Sequence, residues 1–150
     1  MIPVYDFMPI FAAAIGAVLV LAVIWYILQA IAYWKIFTKA GEPGWKSLIP
    51  IYNLYTQYKI TWDTHMYWLL LICSGLAVYF NGSHGFLSCI GSALSLVTMA
   101  INLISTWKYS RAFGHGVLFA LGLLLFAPIF QLILGFGSSE YVGPQTDGWL

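Results

Sequence analysis

Hydrophobic and polar positions along this chain fall into long blocks rather than the short periods of a soluble fold. Phe7 to Trp34 carries no formal charge, and neither does Thr64 to Trp107 or Ala112 to Ser139, His aside. Each block can cross a bilayer as a helix. The middle block has 44 residues. As a helix at about 1.5 Å per residue it would extend about 66 Å, against roughly 30 Å of hydrocarbon core, so it must fold back on itself. The break is legible at Asn81-Gly82-Ser83-His84-Gly85, turn residues between two apolar segments. Four spans follow, near 9–34, 66–80, 86–107 and 116–136.

Between the first two spans the pattern changes period. Gly41-Glu42-Pro43-Gly44 breaks the chain, and Trp45, Leu48, Ile49, Tyr52 and Tyr55 then recur at helical spacing, opposite Lys46, Asn53 and Gln57. The spacing predicts an amphipathic helix over 44–58, lying in the headgroup layer with its aromatic rings at the interface and its lysines towards anionic lipid. Pro50 inside it removes a backbone donor and should kink it after the first turn. Trp45, Lys46, Ile49, Tyr52, Asn53 and Tyr55 are the candidate surface for lipid or a partner; the competing reading is a plain connector on the membrane surface.

Composition agrees with the blocks. The chain is 61% hydrophobic and 7% charged, with mean hydropathy +0.85, where soluble domains carry roughly 25% charged residues. The expected class is an all-α integral membrane protein, a single domain over 1–150 with four transmembrane helices and a cytoplasmic-side interfacial amphipathic helix.

Charge supplies the orientation. All six basic residues lie in two stretches, Lys35, Lys39, Lys46 and Lys59 in one, Lys108 and Arg111 in the other. Short basic loops stay in the cytoplasm, so both stretches are expected inside a cytoplasmic membrane. Asp6, the 81–85 turn, Glu140 and Asp147 are then expected outside, with both termini. The first block lacks a basic region before it and is too long for the core of a signal peptide, which favours a span.

Candidate chemistry is sparse. Cys73 and Cys89 fall within the second and third spans and form no CxxC motif. His65 and His115 are expected inside and His84 outside, with no HExxH, so neither a metal nor a cofactor is expected. Asp63 and His65 are close in sequence, but side chains two apart diverge on a helix, so Asp63 reads as a helix cap rather than half of a dyad. The spans hold no Asp, Glu, Lys, Arg or His, which argues against a carrier driven by protons or sodium. Neutral polar groups remain. Ser88, Ser92, Ser95, Met99 and Asn102 share one face of the third span, and Gln131 follows Pro128 in the fourth, as a helix-packing face or the wall of a pore. Gly91 with Ser95, and Ala12 with Gly16, are small residues four apart that admit close backbones. Pro128 frees the Leu124 carbonyl and should bend the last span.

The run Lys39-Ala40-Gly41-Glu42-Pro43-Gly44-Trp45-Lys46-Ser47-Leu48-Ile49-Pro50-Ile51-Tyr52-Asn53-Leu54-Tyr55 resembles the signature of small prokaryotic multi-pass membrane proteins known as domain of unknown function 5684. The close, from Phe130 through Leu134-Gly135-Phe136-Gly137 to Glu140-Tyr141 and Gly143, is similar to that family's, and the resemblance covers about Tyr33 to Gly143. It implies a prokaryotic membrane setting and no activity. Some members bear a signal-peptidase label, but that chemistry needs a Ser activated by Lys on the outer face, and every Lys here is expected inside. Ser74-Gly75 also lacks the context of an intramembrane serine protease.

The expectation is therefore a non-catalytic accessory, scaffold or assembly subunit. It would contact the bilayer and either another membrane protein or further copies of itself, and no nucleic acid. The alternative is a homo-oligomeric channel or passive transporter with a pore lined by Ser92, Ser95 and Asn102; a membrane-embedded enzyme comes third.

Overall fold

The computed structural model describes residues 4–146, with side chains from residue 8 onward, so the side chain of Asp6 and all of Asp147 lie outside the described residues. Among the described residues there are five α-helices and one 3-10 turn: α1 (Val4–Lys39), the turn Gly44–Leu48, α2 (Pro50–Thr61), α3 (Thr64–Asn81), α4 (Phe86–Ala112) and α5 (Val117–Phe136). Three stretches are long and apolar enough to cross a membrane, Met8–Lys39, Phe86–Ala112 and Val117–Phe136, with mean hydropathies of 2.6, 1.9 and 2.6. They mark the chain as a membrane protein. α3 is not among them: its 18 residues are long enough, but polar Thr64, His65 and Asn81 at its ends lower its hydropathy.

Helix boundaries have local causes. α1 and α4 both end in a left-handed glycine that redirects the chain, Gly41 at φ 76° and Gly114 at φ 72°. Beyond α1, Glu42 N bonds the Phe37 carbonyl and Gly41 N the Thr38 carbonyl; beyond α4, His115 N bonds Ser110 and Gly114 N bonds Arg111. These are paired Schellman closures, satisfying carbonyls that the helix leaves open. Asp63, in extended conformation at φ −147°, caps α3 by accepting from His65 N at 3.0 Å. Because Asp63 precedes the helix, its carboxylate also reaches His65 Nδ1 at 2.9 Å. The expected divergence of those two side chains, which assumed both on a helix, is corrected accordingly.

Pro50 also departs from expectation. It does not kink a continuous 44–58 helix; the 3-10 turn ends, Ile49 is extended, and Pro50 opens α2 at its first position, where a missing N–H costs nothing. The turn itself seats against α1. A Cβ at Gly44 would fall 2.4 Å from the Trp34 ring, so glycine is needed there for close approach.

α3 and α4 form a helical hairpin. Its small-residue contact is Gly91, where a Cβ would meet Asn81 N at 2.6 Å, and Asn81 Nδ2 donates to Ser95 Oγ at 3.0 Å. Gly16, by contrast, has nothing within 4 Å of where its Cβ would be.

α5 is not a straight rod. Its 20 residues would extend about 30 Å as one helix, yet His115, just before it, bonds Ser139, three residues beyond its end, at 2.8 Å. Three extended residues reach only about 10 Å, so the helix must reverse. The reversal is at Phe126, non-helical at φ −134° and ψ 47°, with Pro128 beyond it. The two arms pack on each other: the Phe119 and Phe130 rings meet at 5.0 Å between centroids, and Gly122 has no side chain where the Phe130 ring lies. The segment expected as a fourth span, bent at Pro128 but crossing, thus returns to the end where it began.

That reversal corrects the placement of the chain's end. Residues 137–146 lie against the helix termini that carry the lysines. Val142 N bonds the Ala112 carbonyl, Gln145 N that of Thr61, and Tyr141 OH that of Ile60. Glu140, expected opposite the basic residues, belongs to the segment that shares their end.

The core sits at this end too. Ile36, Phe37, Ile60, Tyr109, Ala112, Phe113, Leu123 and Leu134 form one buried cluster, and Tyr58, Trp62, Tyr67, Leu70 and Ile101 another. From Met8 to Leu28, α1 is exposed throughout.

Candidate functional site

α2 turns its polar side chains inward. Ile51, Tyr52 and Leu54 are exposed, while Asn53 and Gln57 are half-buried. Asn53 Nδ2 donates to the Ser47 carbonyl at 3.2 Å, and Gln57 Nε2 to Asn53 Oδ1 at 2.8 Å. Behind them lies a cavity of about 160 Å³, walled by Leu54, Gln57, Tyr58 and Thr61 of α2, Asn102, Ser105, Thr106 and Tyr109 of α4, and Leu123, Ala127 and Gln131 of α5. No wall residue is charged. The Tyr33 hydroxyl approaches the Gln57 and Gln131 amides from α1.

Many wall donors are already used. Thr106 and Ser105 donate to the Asn102 carbonyl at 2.8 and 3.2 Å, Asn102 Nδ2 to the Thr98 carbonyl at 2.8 Å, and Thr61 to the Gln57 carbonyl at 2.7 Å. Two are not. Tyr58 and Tyr109, 4% and 6% exposed, have buried hydroxyls that close no hydrogen bond of good geometry. Burial raises the Tyr58 pKa above its ordinary value, opposed by the neighbouring Ser105 hydroxyl. Leaving a buried polar group unmet costs about 1–3 kcal/mol. The wall can donate to and accept from an uncharged molecule. Among the described residues, no group of three His, Cys, Asp or Glu could hold a metal ion.

A charged cluster lies on the outer side of α2. Glu42 takes Lys46 at 2.7 Å and Lys59 at 2.6 Å, tying the turn after α1 to the end of α2. Burial acts to raise the Glu42 pKa, but the hydrogen bonds and charges of the two lysines outweigh it, and the carboxyl is held below its ordinary value. The same contacts raise the Lys59 pKa. Nearby, Lys39 Nζ donates to the Leu134 and Gly137 carbonyls, each at 2.7 Å, placing a cation where α5 leaves its last acceptors. Lys108, 6% exposed, donates to the Gln145 carbonyl at 2.6 Å and lies over the Trp62 ring.

The contact between His115 and Ser139 has the length a base and nucleophile would need. The His115 ring stacks on Phe119 with centroids 4.1 Å apart, and among the described residues no carboxylate bonds its other nitrogen. The pair fastens the tail to the start of α5.

Of the residues singled out by sequence, the structure brings Asn102 and Gln131 together at the cavity. Ser88, Ser92 and Ser95 do not line it; Ser92 and Ser95 donate to carbonyls of their own helix. Trp45 and Tyr52 meet on the exposed face, ring centroids 5.8 Å apart, with Ile49 exposed, Lys46 on Glu42, Asn53 inward and Tyr55 edge-on to Tyr67 at 5.6 Å. Ser105, Thr106 and Tyr109 were missed as a set. They follow Asn102 at three, four and seven positions, a polar stripe that helical periodicity marks. Gln57 was assigned to the wet side.

The family of unknown function DUF5684 matches residues 45–144, a stretch holding α2 to α5, the cavity wall and most of the returning tail. No curated protein and no solved structure matches the chain.

Proposed function

The chain belongs to DUF5684, a family of unknown function, and from that premise we propose a multi-pass protein of a prokaryotic cytoplasmic membrane that acts without catalysis as an assembly subunit. In this reading the basic end faces the cytoplasm, following the preference of short basic loops for that side. α1, α3 and α4 cross the bilayer. α3 fits with its 18 residues, about 27 Å of helix. α5 enters from the cytoplasmic side and returns. The α2 region lies at that interface as an amphipathic element: Trp45, Leu48, Ile49, Ile51, Tyr52 and Leu54 give it an exposed apolar face. Each nearby lysine adds about 1 kcal/mol of attraction to anionic lipid.

One observation carries the assembly reading, the break in α5. Gln29 donates to the Pro128 carbonyl at 3.0 Å. That sets the break beside α1 ten residues before Lys39, about 15 Å along the helix and near the middle of a core about 30 Å thick. Phe126 is 57% exposed there. Irregular backbone at membrane depth is tolerated against protein or water, not against lipid. The exposed Met8 to Leu28 stretch of α1 continues beyond the same level. A neighbouring chain, either another copy or a different membrane protein, would cover both. His115 and Ser139 serve as a latch, since among the described residues no third group orients the histidine as a catalytic base needs.

Native mass measurement from a gentle detergent tests this. The expected species contains more than one 16.8 kDa chain or a reproducible partner. A lone chain with the Phe126 backbone open to hydrogen exchange would contradict it. A passive channel or transporter is the second reading, favoured by the uncharged polar cavity; selective solute flux in liposomes carrying this chain alone would support it over the first.

A further inference from the structure

We infer that the cavity between α2, α4 and α5 is a binding site for a small uncharged amide or polyol, whatever assembly the chain joins. Size sets the first limit. The cavity is about 160 Å³, which suits a molecule of few heavy atoms. Charge sets the second. With no ionised group on the wall, a buried ion would have no compensating partner.

The polar groups identify the chemistry. The side-chain amides of Asn102 and Gln131 can each donate and accept, and both line the space. The Tyr109 hydroxyl, almost fully buried, finds no partner, and that of Tyr58 has only the Ser105 hydroxyl beside it, with no bond of good geometry. Such groups are normally satisfied in a folded protein, and each exception asks for a partner. A ligand bearing both donors and acceptors can meet hydroxyls and amides at once, while Leu123 and Ala127 give its carbon skeleton an apolar surface. Exposed Leu54 and Asn102 on the rim open the cavity to the exterior.

The test is equilibrium dialysis of radiolabelled urea, acetamide and glycerol against the full chain in lipid nanodiscs, with empty nanodiscs as background. At least one probe should bind saturably. Removing a single hydrogen-bonding group should weaken it about fivefold to tenfold in Gln131→Leu and in Tyr109→Phe. Tyr109→Phe keeps the ring and the fold, and should also raise the thermal midpoint of the solute-free protein, because it deletes an unmet buried hydroxyl. A hydroxyl with a purely structural partner would instead lower that midpoint when removed. Absence of saturable binding for all three probes would leave water alone in the cavity and overturn the inference. Unchanged affinity in both variants, or a lowered midpoint in Tyr109→Phe, would do the same.

Discussion

Helices α1 and α5 are equally apolar, each reaching a mean hydropathy of 2.6, and each contains one proline. One runs for 36 residues without a break; the other reverses within 20. The difference lies beside the prolines. Pro9 removes one donor from α1, yet the helix runs on through it without non-helical backbone. Pro128 stands mid-helix, next to non-helical Phe126 and beyond Gly122, whose missing side chain makes room for the Phe130 ring. Apolarity therefore reports which solvent a segment prefers, not whether it crosses that solvent. Burial separates the two helices as well: α1 is exposed from Met8 to Leu28, whereas α5 packs against α1, α4 and itself.

Two alanine substitutions test that contrast most sharply. A Cβ at Gly135 would stand 2.7 Å from the Ala32 carbonyl oxygen and 2.9 Å from its Cα, backbone atoms that cannot yield. Gly135→Ala should therefore cost about 3 kcal/mol, the upper part of the usual overpacking range. Gly16→Ala meets open space and should be neutral or stabilising by up to about 1 kcal/mol through helix propensity. Thermal unfolding in detergent measures both, and equal effects would break the comparison.

The next effect concerns the join between the two helices. Lys39→Met removes the ammonium from the Leu134 and Gly137 carbonyls and should lose about 2 kcal/mol, as expected for a hydrogen-bonded charge. Protease cleavage within 137–146 should rise before the rest of the chain opens. Unchanged cleavage would mean that Lys39 does not hold the returning end.

The smallest effect depends on pH. Glu42 has a folded pKa below its ordinary 4.5, so its contribution is present above that value and fades as pH falls through the lower folded pKa. The native protein should lose about 1 kcal/mol more than Glu42→Gln on acidification below about pH 4.5, an effect of the size expected for a partly exposed ion-pair network. Parallel pH profiles would show that the lysines around Glu42 add nothing to the fold.

Much of the architecture was legible. The 81–85 turn that closes α3 and precedes α4, and the Asp63 cap, follow from turn residues and capping chemistry in the sequence, whereas α4 runs on to Ala112, past the Trp107 expected as the end of the third span. The reversal of α5 was not. A proline ordinarily bends a helix rather than doubling it back, and Gly122 and Phe130 reveal their fit only once the arms are apposed. No Lys or Arg follows Arg111, so the charge rule had nothing to read in residues 112–150. The cavity was half legible: Asn102 and Gln131 stood out as polar residues in apolar helices, while Gln57 was assigned outward because α2 was read as a helix facing water with its polar side.

The most direct test of the α5 reversal places single cysteines at His84, Pro43 and Ser138, all exposed, in a chain with Cys73 and Cys89 replaced by Ala. An impermeant maleimide is then applied to intact and to permeabilised cells. If α5 returns to the basic end, Ser138→Cys reports with Pro43→Cys, both reacting only after permeabilisation, while His84→Cys reacts in intact cells. Reaction of Ser138→Cys together with His84→Cys, and apart from Pro43→Cys, would mean that α5 crosses the membrane and that the account is wrong.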